Sequence, residues 1–231
     1  AYSADDIVRQ CQQVGGDVKS LYASLTGQFW IIIFHKSTNS FHLFNDHFGI
    51  GPCFYTVQNG QVFISDSLRW ISNQIPVSIA EQSLFNYIYF HCIPSPNTIF
   101  EEVAKLEPGT AVILAQDATY QTELFYQPKF EHTLDSEKAA HQKCLETIDK
   151  VVEKNITDCT GAFLSGGLDS SSVAGMLARH DSAAKTFSVG FDIPQYDETA
   201  YAKITANHFN TDHKVLYLQP ESVVDKFIEV A

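Results

Sequence analysis

Basic residues are scarce in this chain: 15 lysines and arginines stand against 27 aspartates and glutamates, a formal net charge of -12. No stripe of positive charge is present to neutralise phosphates, which argues against a nucleic-acid binder and against docking on an anionic membrane. Long hydrophobic runs are missing too. The longest, around residues 29–34, falls far short of the ~20 apolar residues that span a bilayer. No signal-peptide pattern opens the sequence. The five cysteines (Cys11, Cys53, Cys92, Cys144 and Cys159) are odd in number and form no CxxC pair. A zinc site or disulfide framework is therefore not expected, and the reading is a reduced, cytoplasmic protein with buried thiols. The 9 histidines are scattered with no HxxxH pair, and they read as surface or hydrogen-bonded side chains rather than metal ligands.

What remains is an ordinary globular composition. Apolar residues make up 45% and charged residues 18% of 231 positions, enough for one large or two modest domains. The first part reads as mostly β. Strands are expected over 27–34 and 41–44, separated by the polar turn at 36–39. A hairpin over 52–57 and 61–65 closes on Asn59-Gly60, a strong short-range turn signal. Helical spacing over 5–25 is broken by Gly15-Gly16. A helix over 79–89 carries Leu84, Tyr87 and Ile88 as an apolar stripe. A proline-bearing connector follows at 93–100, then a short β-pair around 108–114.

Residues 127–135 are polar and linker-like, and beyond them the pattern changes. A long helix is expected over 135–154 with Asp135 as N-cap. A short buried strand over 161–164, a helix over 170–180, a strand over 186–190, a helix over 198–209 and a strand over 212–218 follow in turn. This alternation implies a parallel sheet with helices on its faces, where ligands bind beyond the carboxyl ends of the strands. A last helix is expected over 220–231, with Val223, Val224, Phe227 and Ile228 on one face.

Between the strand at 161–164 and the next helix lies Ser165-Gly166-Gly167-Leu168-Asp169-Ser170-Ser171. Gly166 and Gly167 can take positive φ and lack Cβ, so backbone can wrap closely around a ligand. Their amides, with the first amides of the helix and its dipole, make an anion site. Ser165, Ser170 and Ser171 add hydroxyl donors. Asp169 is the informative exception: a carboxylate beside phosphates is repulsive unless a divalent cation lies between, so it predicts Mg²⁺. The loop lacks the Gly-Lys-Ser/Thr ending of a kinase-type P-loop. It therefore suits a site that holds the β- and γ-phosphates of ATP as a leaving group while the α-phosphorus is attacked. The bland alternative is a ligand-free Gly/Ser loop, which a match of this length at a strand-to-helix junction outweighs.

The stretch SGGLDSS resembles the pyrophosphate loop of asparagine synthetases of the glutamine-using type and their relatives. Thr186-Phe187-Ser188-Val189-Gly190-Phe191-Asp192 and Tyr196-Asp197-Glu198 are similar to that family's next strand and the acidic motif after it. Upstream, Leu25-Thr26-Gly27-Gln28-Phe29, Asn45-Asp46-His47-Phe48-Gly49 and Ser65-Asp66-Ser67-Leu68 resemble the second half of its glutaminase domain. Residues 94–100 and Lys105-Leu106-Glu107-Pro108-Gly109 resemble the connector to the synthetase domain. The resemblance implies an α+β part followed by an α/β part. The first is a partial, degenerate β-rich domain of the N-terminal-nucleophile type over 1–128. The second is a parallel-sheet ATP-pyrophosphatase domain, like the adenine-nucleotide α-hydrolases, over 129–231. It implies that Leu164 and Val189 contact the adenosine part of ATP, that Gly190 counts among the nucleotide-binding residues, and that Asp169 acts catalytically by holding Mg²⁺ and pyrophosphate. Asp197 and Glu198 read equally well as helix-start carboxylates favouring the dipole.

The implied reaction is amide synthesis through an acyl-adenylate: a carboxylate such as aspartate attacks Mg·ATP, and ammonia or another amine displaces AMP. The partners are thus small molecules, with neither nucleic acid nor membrane, and homodimerisation is left open. Departures from the family's pattern bear on the first domain. Ala1 stands where a nucleophilic cysteine with a free amine would be needed, Cys11 has no free amine, Ala4 replaces a glutamine-binding aspartate, and Asn45 replaces an arginine. The expectation is that the chain does not hydrolyse glutamine, and that it is an internal piece truncated at both ends. β-Lactam synthetases and lasso-peptide cyclases, a nucleotide-binding remnant and a tRNA-modifying pyrophosphatase are the rival readings.

Overall fold

Asn59 and Gly60, with φ of 52° and 72°, both occupy the left-handed region that a tight hairpin turn requires. They bring two apolar runs back on each other in the arrangement expected from the sequence. A computed structural model describes residues 4–13, 17–115, 120–131 and 136–219, and the chain divides into two compact units, Ala1–Phe130 and Glu131–Ala231. The glycine pair at 15–16, Asp135 and the helix expected over 220–231 lie outside the described residues.

The first unit runs α1 (Ala4–Gln13), α2 (Val18–Ser24), β1 (Trp30–His35), β2 (Ser40–Asn45), β3 (Phe54–Gln58), β4 (Gln61–Ser65), α3 (Leu68–Ser72), α4 (Glu81–Phe90), β5 (Ala104–Lys105), β6 (Thr110–Ala115) and β7 (Tyr120–Leu124). Two antiparallel sheets form, in the orders β1-β2-β6-β7 and β4-β3-β5. Strand alternation then sorts the apolar side chains into layers. Leu43, Val112 and Leu114 of the first sheet meet Tyr55 of the second, with Cys53 and Leu106 flanking β3 and β5, in one buried cluster. On the outer face of the first sheet, Phe44 and Ala111 pack with Tyr22 of α2. On the outer face of the second, Phe54, Phe63 and Val103 pack with Ile71 of α3. The unit is a helix–sheet–sheet–helix sandwich. Asp17 caps α2 by accepting from the amides of Lys19 and Ser20, and Ser67 caps α3 at Trp70.

One expectation fails here. In α4 the stripe of Leu84, Tyr87 and Ile88 faces outward, and Ser83 is the buried residue. Helical periodicity detects an apolar face only when the opposite face is polar. This helix also carries Phe85, Tyr89 and Phe90, so its apolar side is ambiguous. The expected buried thiols need the same correction: Cys53 is buried, but Cys92, Cys144 and Cys159 are exposed.

His35 and His42 stack across β1 and β2, with ring centroids 4.0 Å apart and planes inclined by 29°. Burial, and then His35, hold His42 below the ordinary histidine value. The sign follows directly. As pH falls the unfolded chain takes up the proton first, so this contribution to stability is fully present above pH ~6.5 and is lost as pH falls through the lowered native value. Thermal melts are expected to drop between pH 7 and 5, and His42→Phe should flatten that drop. An unchanged pH profile in the variant would refute the assignment.

The second unit runs α5 (Glu137–Lys154), β8 (Gly161–Phe163), α6 (Leu168–His180), β9 (Lys185–Phe191), α7 (Thr199–Phe209) and β10 (Asp212–Leu218). Its three strands are parallel, in the order β10-β9-β8. The N-cap of α5 is Ser136, whose hydroxyl accepts from the Ala139 amide at 3.2 Å. The helices share one side of the sheet: Leu164, Ala174, Ala202 and Ala206 form one buried cluster, and Ala162, Leu177 and Ala184 another, with Val152 of α5 against it. The other face of the sheet presents Phe163, Phe187, Val189 and Leu216 exposed among the described residues. No helix among the described residues is long and apolar enough to cross a membrane.

Candidate nucleotide site

β8 ends at Phe163, and α6 begins at Leu168, two residues earlier than expected, so the loop between them is short. Asp169 therefore lies in the first turn of α6. Gly167 is the N-cap and makes no side-chain cap bond, and the amides of Leu168, Asp169 and Ser170 have no acceptor among the described residues. Ser171 is the first to bond within the helix, donating to the Gly167 carbonyl at 3.0 Å. Open amides at a helix N-terminus, beyond the carboxyl end of a parallel strand, are where an anion is best accommodated.

The serines brace this loop from within. The Ser165 amide donates to Ser170 Oγ at 3.2 Å, and the two hydroxyls are 3.0 Å apart. The Gly167 amide donates to Ser165 Oγ at 3.3 Å. Ser171 Oγ instead reaches across to Thr205 of α7 at 3.2 Å. The two glycines do different work. Gly166 takes φ of +87°, and a Cβ there would meet the backbone of Tyr201 at 2.5 Å and Ala202 at 2.6 Å. Gly167 has an ordinary φ of −72°, so of the two glycines that can take positive φ only the first does so. Asp169 is exposed and forms neither a hydrogen bond nor an ion pair among the described residues. It is a carboxylate waiting beside unsatisfied amides, a combination that favours an anion carrying its own cation. No group of three or more His, Cys, Asp or Glu side chains among the described residues could hold a metal unaided, so a cation here would take most of its ligands from phosphate and water.

Leu164, Val189 and Gly190 occupy different surroundings. Leu164 is 1% exposed and packed inside the helix-side core. Its amide donates to Phe187 O at 2.7 Å, and its carbonyl accepts from Ser188 Oγ. Its side chain is thus committed to the fold. Val189 is half-exposed on the opposite face of the sheet. At Gly190 a Cβ would press on the Tyr217 ring at 2.6 Å and on Thr199 Cγ2 at 2.9 Å, so this glycine is required by packing. Asp197 accepts from the Thr199 amide and hydroxyl at 3.2 and 3.0 Å, which is the helix-start role.

Sequence reasoning passed over one network. Under the helices, Thr186 Oγ1 lies 2.9 Å from His213 Nδ1, and Ser188 Oγ lies 3.3 Å from His213 Nε2. Through Ser188 this polar chain ends on the Leu164 carbonyl, immediately before the loop. Burial, and then Lys203, hold His213 below the ordinary histidine value, so the ring is neutral and braces the loop without charge. Alternation along β9 could have pointed to Thr186 and Ser188 as inward polar residues needing partners.

Comparison with known proteins agrees on both halves. Residues 4–126 match the model of the glutamine amidotransferase domain, and residues 146–231 match that of asparagine synthase. The chain belongs to the asparagine synthetase family. A glutamine-hydrolysing asparagine synthetase of Bacillus subtilis is 28% identical over 211 residues, covering 90% of this chain and 33% of the relative. A putative second asparagine synthetase of Methanocaldococcus jannaschii is 30% identical over 213 residues, covering 87% and 41%. An amidase, chry2, of Gibberella zeae is 24% identical over 232 residues, covering 90% and 34%. The chain thus spans about a third to two-fifths of the length of these relatives.

Proposed function

We propose that the second unit holds Mg·ATP for adenylation of a carboxylic acid, as the ATP-pyrophosphatase part of an AMP- and pyrophosphate-forming amide synthetase. The observation that carries the reading is the start of α6, where open amides of Leu168, Asp169 and Ser170 stand beside an unpartnered Asp169 carboxylate. In this reading those amides and the Ser165 and Ser170 hydroxyls take the β- and γ-phosphates. Asp169 takes Mg²⁺, which supplies charge neutralisation at the leaving pyrophosphate. Positioning and electrostatics are then the protein's contribution, and attack falls on the α-phosphorus. Aspartate is the acid and ammonia the amine that the asparagine synthetase relatives suggest, with AMP leaving as the amide forms.

Residues 1–128, within the first unit, are read as a degenerate glutaminase-type domain of the N-terminal-nucleophile class, the unit's helix–sheet–sheet–helix layering in support. The domain over 129–231 is read as the start of the synthetase. Cys53 is no substitute nucleophile: burial pushes its thiol up to about 12, and a thiol rather than a thiolate is inert. The amidase relatives favour a second reading in which the same activation serves another acid and another amine.

Titration calorimetry with ATP in the presence and absence of Mg²⁺ tests the site on this chain. Asp169→Asn is expected to weaken Mg·ATP at least about tenfold while leaving metal-free ATP little changed. Equal loss with and without the metal would remove Mg²⁺ from the Asp169 assignment. ATP–pyrophosphate exchange dependent on aspartate, run on the longest native form of the protein, tests the substrate.

A further inference from the structure

In the first unit a cleft of about 470 Å³ opens between the edge of the second sheet, the connector before β5 and strands β6 and β7. Three glutamates line it, and no lysine, arginine or histidine does. Two hydroxyls in its wall are unpaired. Tyr55 is 8% exposed and Ser83 3% exposed, and neither side chain has a hydrogen-bond partner among the described residues. Their residues are buried but the hydroxyl oxygens themselves reach the open cleft, and a cleft faced by two unpaired hydroxyls is a place for a polar ligand. Glu107 and Tyr120 line the same cleft, and Glu107 forms no ion pair among the described residues. Between these oxygens the wall is apolar, with Val57 and Leu114.

We propose that this cleft binds a small organic cation, a primary ammonium on a short apolar chain, held between the Tyr55 hydroxyl, the Glu107 carboxylate and Tyr120, with its chain against Val57 and Leu114. An ammonium brings three donors and no acceptor, matching a wall with three glutamates and no basic residue, of which Glu102 is already engaged by Ser78. A bare metal ion is the poorer fit, because no group of three or more His, Cys, Asp or Glu side chains among the described residues could hold one. The size of the cleft lies within the ~300–1,000 Å³ of small-molecule sites. Burial, then Tyr120 and Glu107, push the Tyr55 phenol up to about 12, which keeps the hydroxyl neutral. The site stands apart from the adenylation reading and does not depend on it.

Calorimetry on the 231-residue chain with n-butylammonium, 1-butanol and butyrate tests it. Butylammonium is expected to bind, with the neutral and anionic analogues at least about tenfold weaker. Glu107→Gln should weaken butylammonium about tenfold or more and Tyr55→Phe about threefold to tenfold, with ATP binding unchanged in both. Should circular dichroism show either variant unfolded, Tyr120→Phe, which removes one hydroxyl at the mouth of the cleft, is read in its place. Failure of butylammonium to bind, equal binding of butanol, or indifference to the variants in folded protein would overturn the proposal.

Discussion

Gly166→Ala is expected to cost about 2–5 kcal/mol of stability and to abolish nucleotide binding, measured by urea unfolding and by ATP titration. Two independent costs add. At φ of +87° an alanine Cβ is strained, typically by about 1–2 kcal/mol. That Cβ would also lie 2.5–2.6 Å from the backbone of Tyr201 and Ala202. Backbone cannot rotate away as a side chain can, so the first turn of α7 must shift. Overpacking of this kind costs about 1–3 kcal/mol. The neighbouring glycine provides the contrast. A Cβ at Gly167 meets nothing nearer than Ser165 Oγ at 3.4 Å, so Gly167→Ala should leave stability within about 1 kcal/mol. It would still place a methyl group beside the open amides of α6 and weaken the nucleotide. Loss of stability in the first variant with loss of binding alone in the second supports the site. If both variants bind ATP as the parent does, the loop is not where phosphates lie.

The contrast between these glycines also marks what could be read in advance. The parallel βαβ rhythm of the second unit was legible because its strands are short runs rich in apolar residues, set between helices and bounded by polar or glycine-rich turns. The loop chemistry was legible because residue types there have few alternative uses: adjacent glycines and a carboxylate at a strand-to-helix junction are hard to explain by packing alone. Which glycine needs positive φ was not legible, since that depends on Tyr201, distant in sequence. The layering of the first unit was only half-visible. Period-2 alternation gives a strand two faces but does not say which helix covers which face, and α4, with Phe85, Tyr89 and Phe90 beside its apolar stripe, offered little contrast. His213 was legible only as a histidine. Its role comes from Thr186 and Ser188, which β9 brings beneath the loop from another part of the chain.

Asp46→Ala is expected to destabilise the first unit by about 3–5 kcal/mol, seen as a lower urea midpoint with an unchanged slope. Asp46 is 1% exposed at the end of β2. Its carboxylate accepts from Phe48 at 3.0 Å, from Ile50 at 3.2 and 3.1 Å and, weakly, from Phe29 at 3.4 Å. No cation pairs with it among the described residues, so backbone amides alone carry the charge, as they do at a helix N-cap. Alanine would leave those amides without acceptors, at about 1–3 kcal/mol for each that water cannot reach. Asn45 completes the arrangement: its Nδ2 donates to Leu106 O at 3.0 Å, while its Oδ1 accepts from the Asp46 amide at 3.1 Å. The pair thereby ties β2 to the turn before β6, where Gly109 donates to the Asp46 carbonyl at 2.8 Å. Asparagine at 45 is therefore explained by packing within the sandwich, independently of any role toward glutamine. Asp46→Asn separates charge from geometry. It keeps one acceptor oxygen but turns an amide donor toward backbone donors, and a cost of about 1–3 kcal/mol is expected. If alanine costs less than about 1 kcal/mol, water has replaced the carboxylate and the turn is held by Asn45 and Gly109 alone.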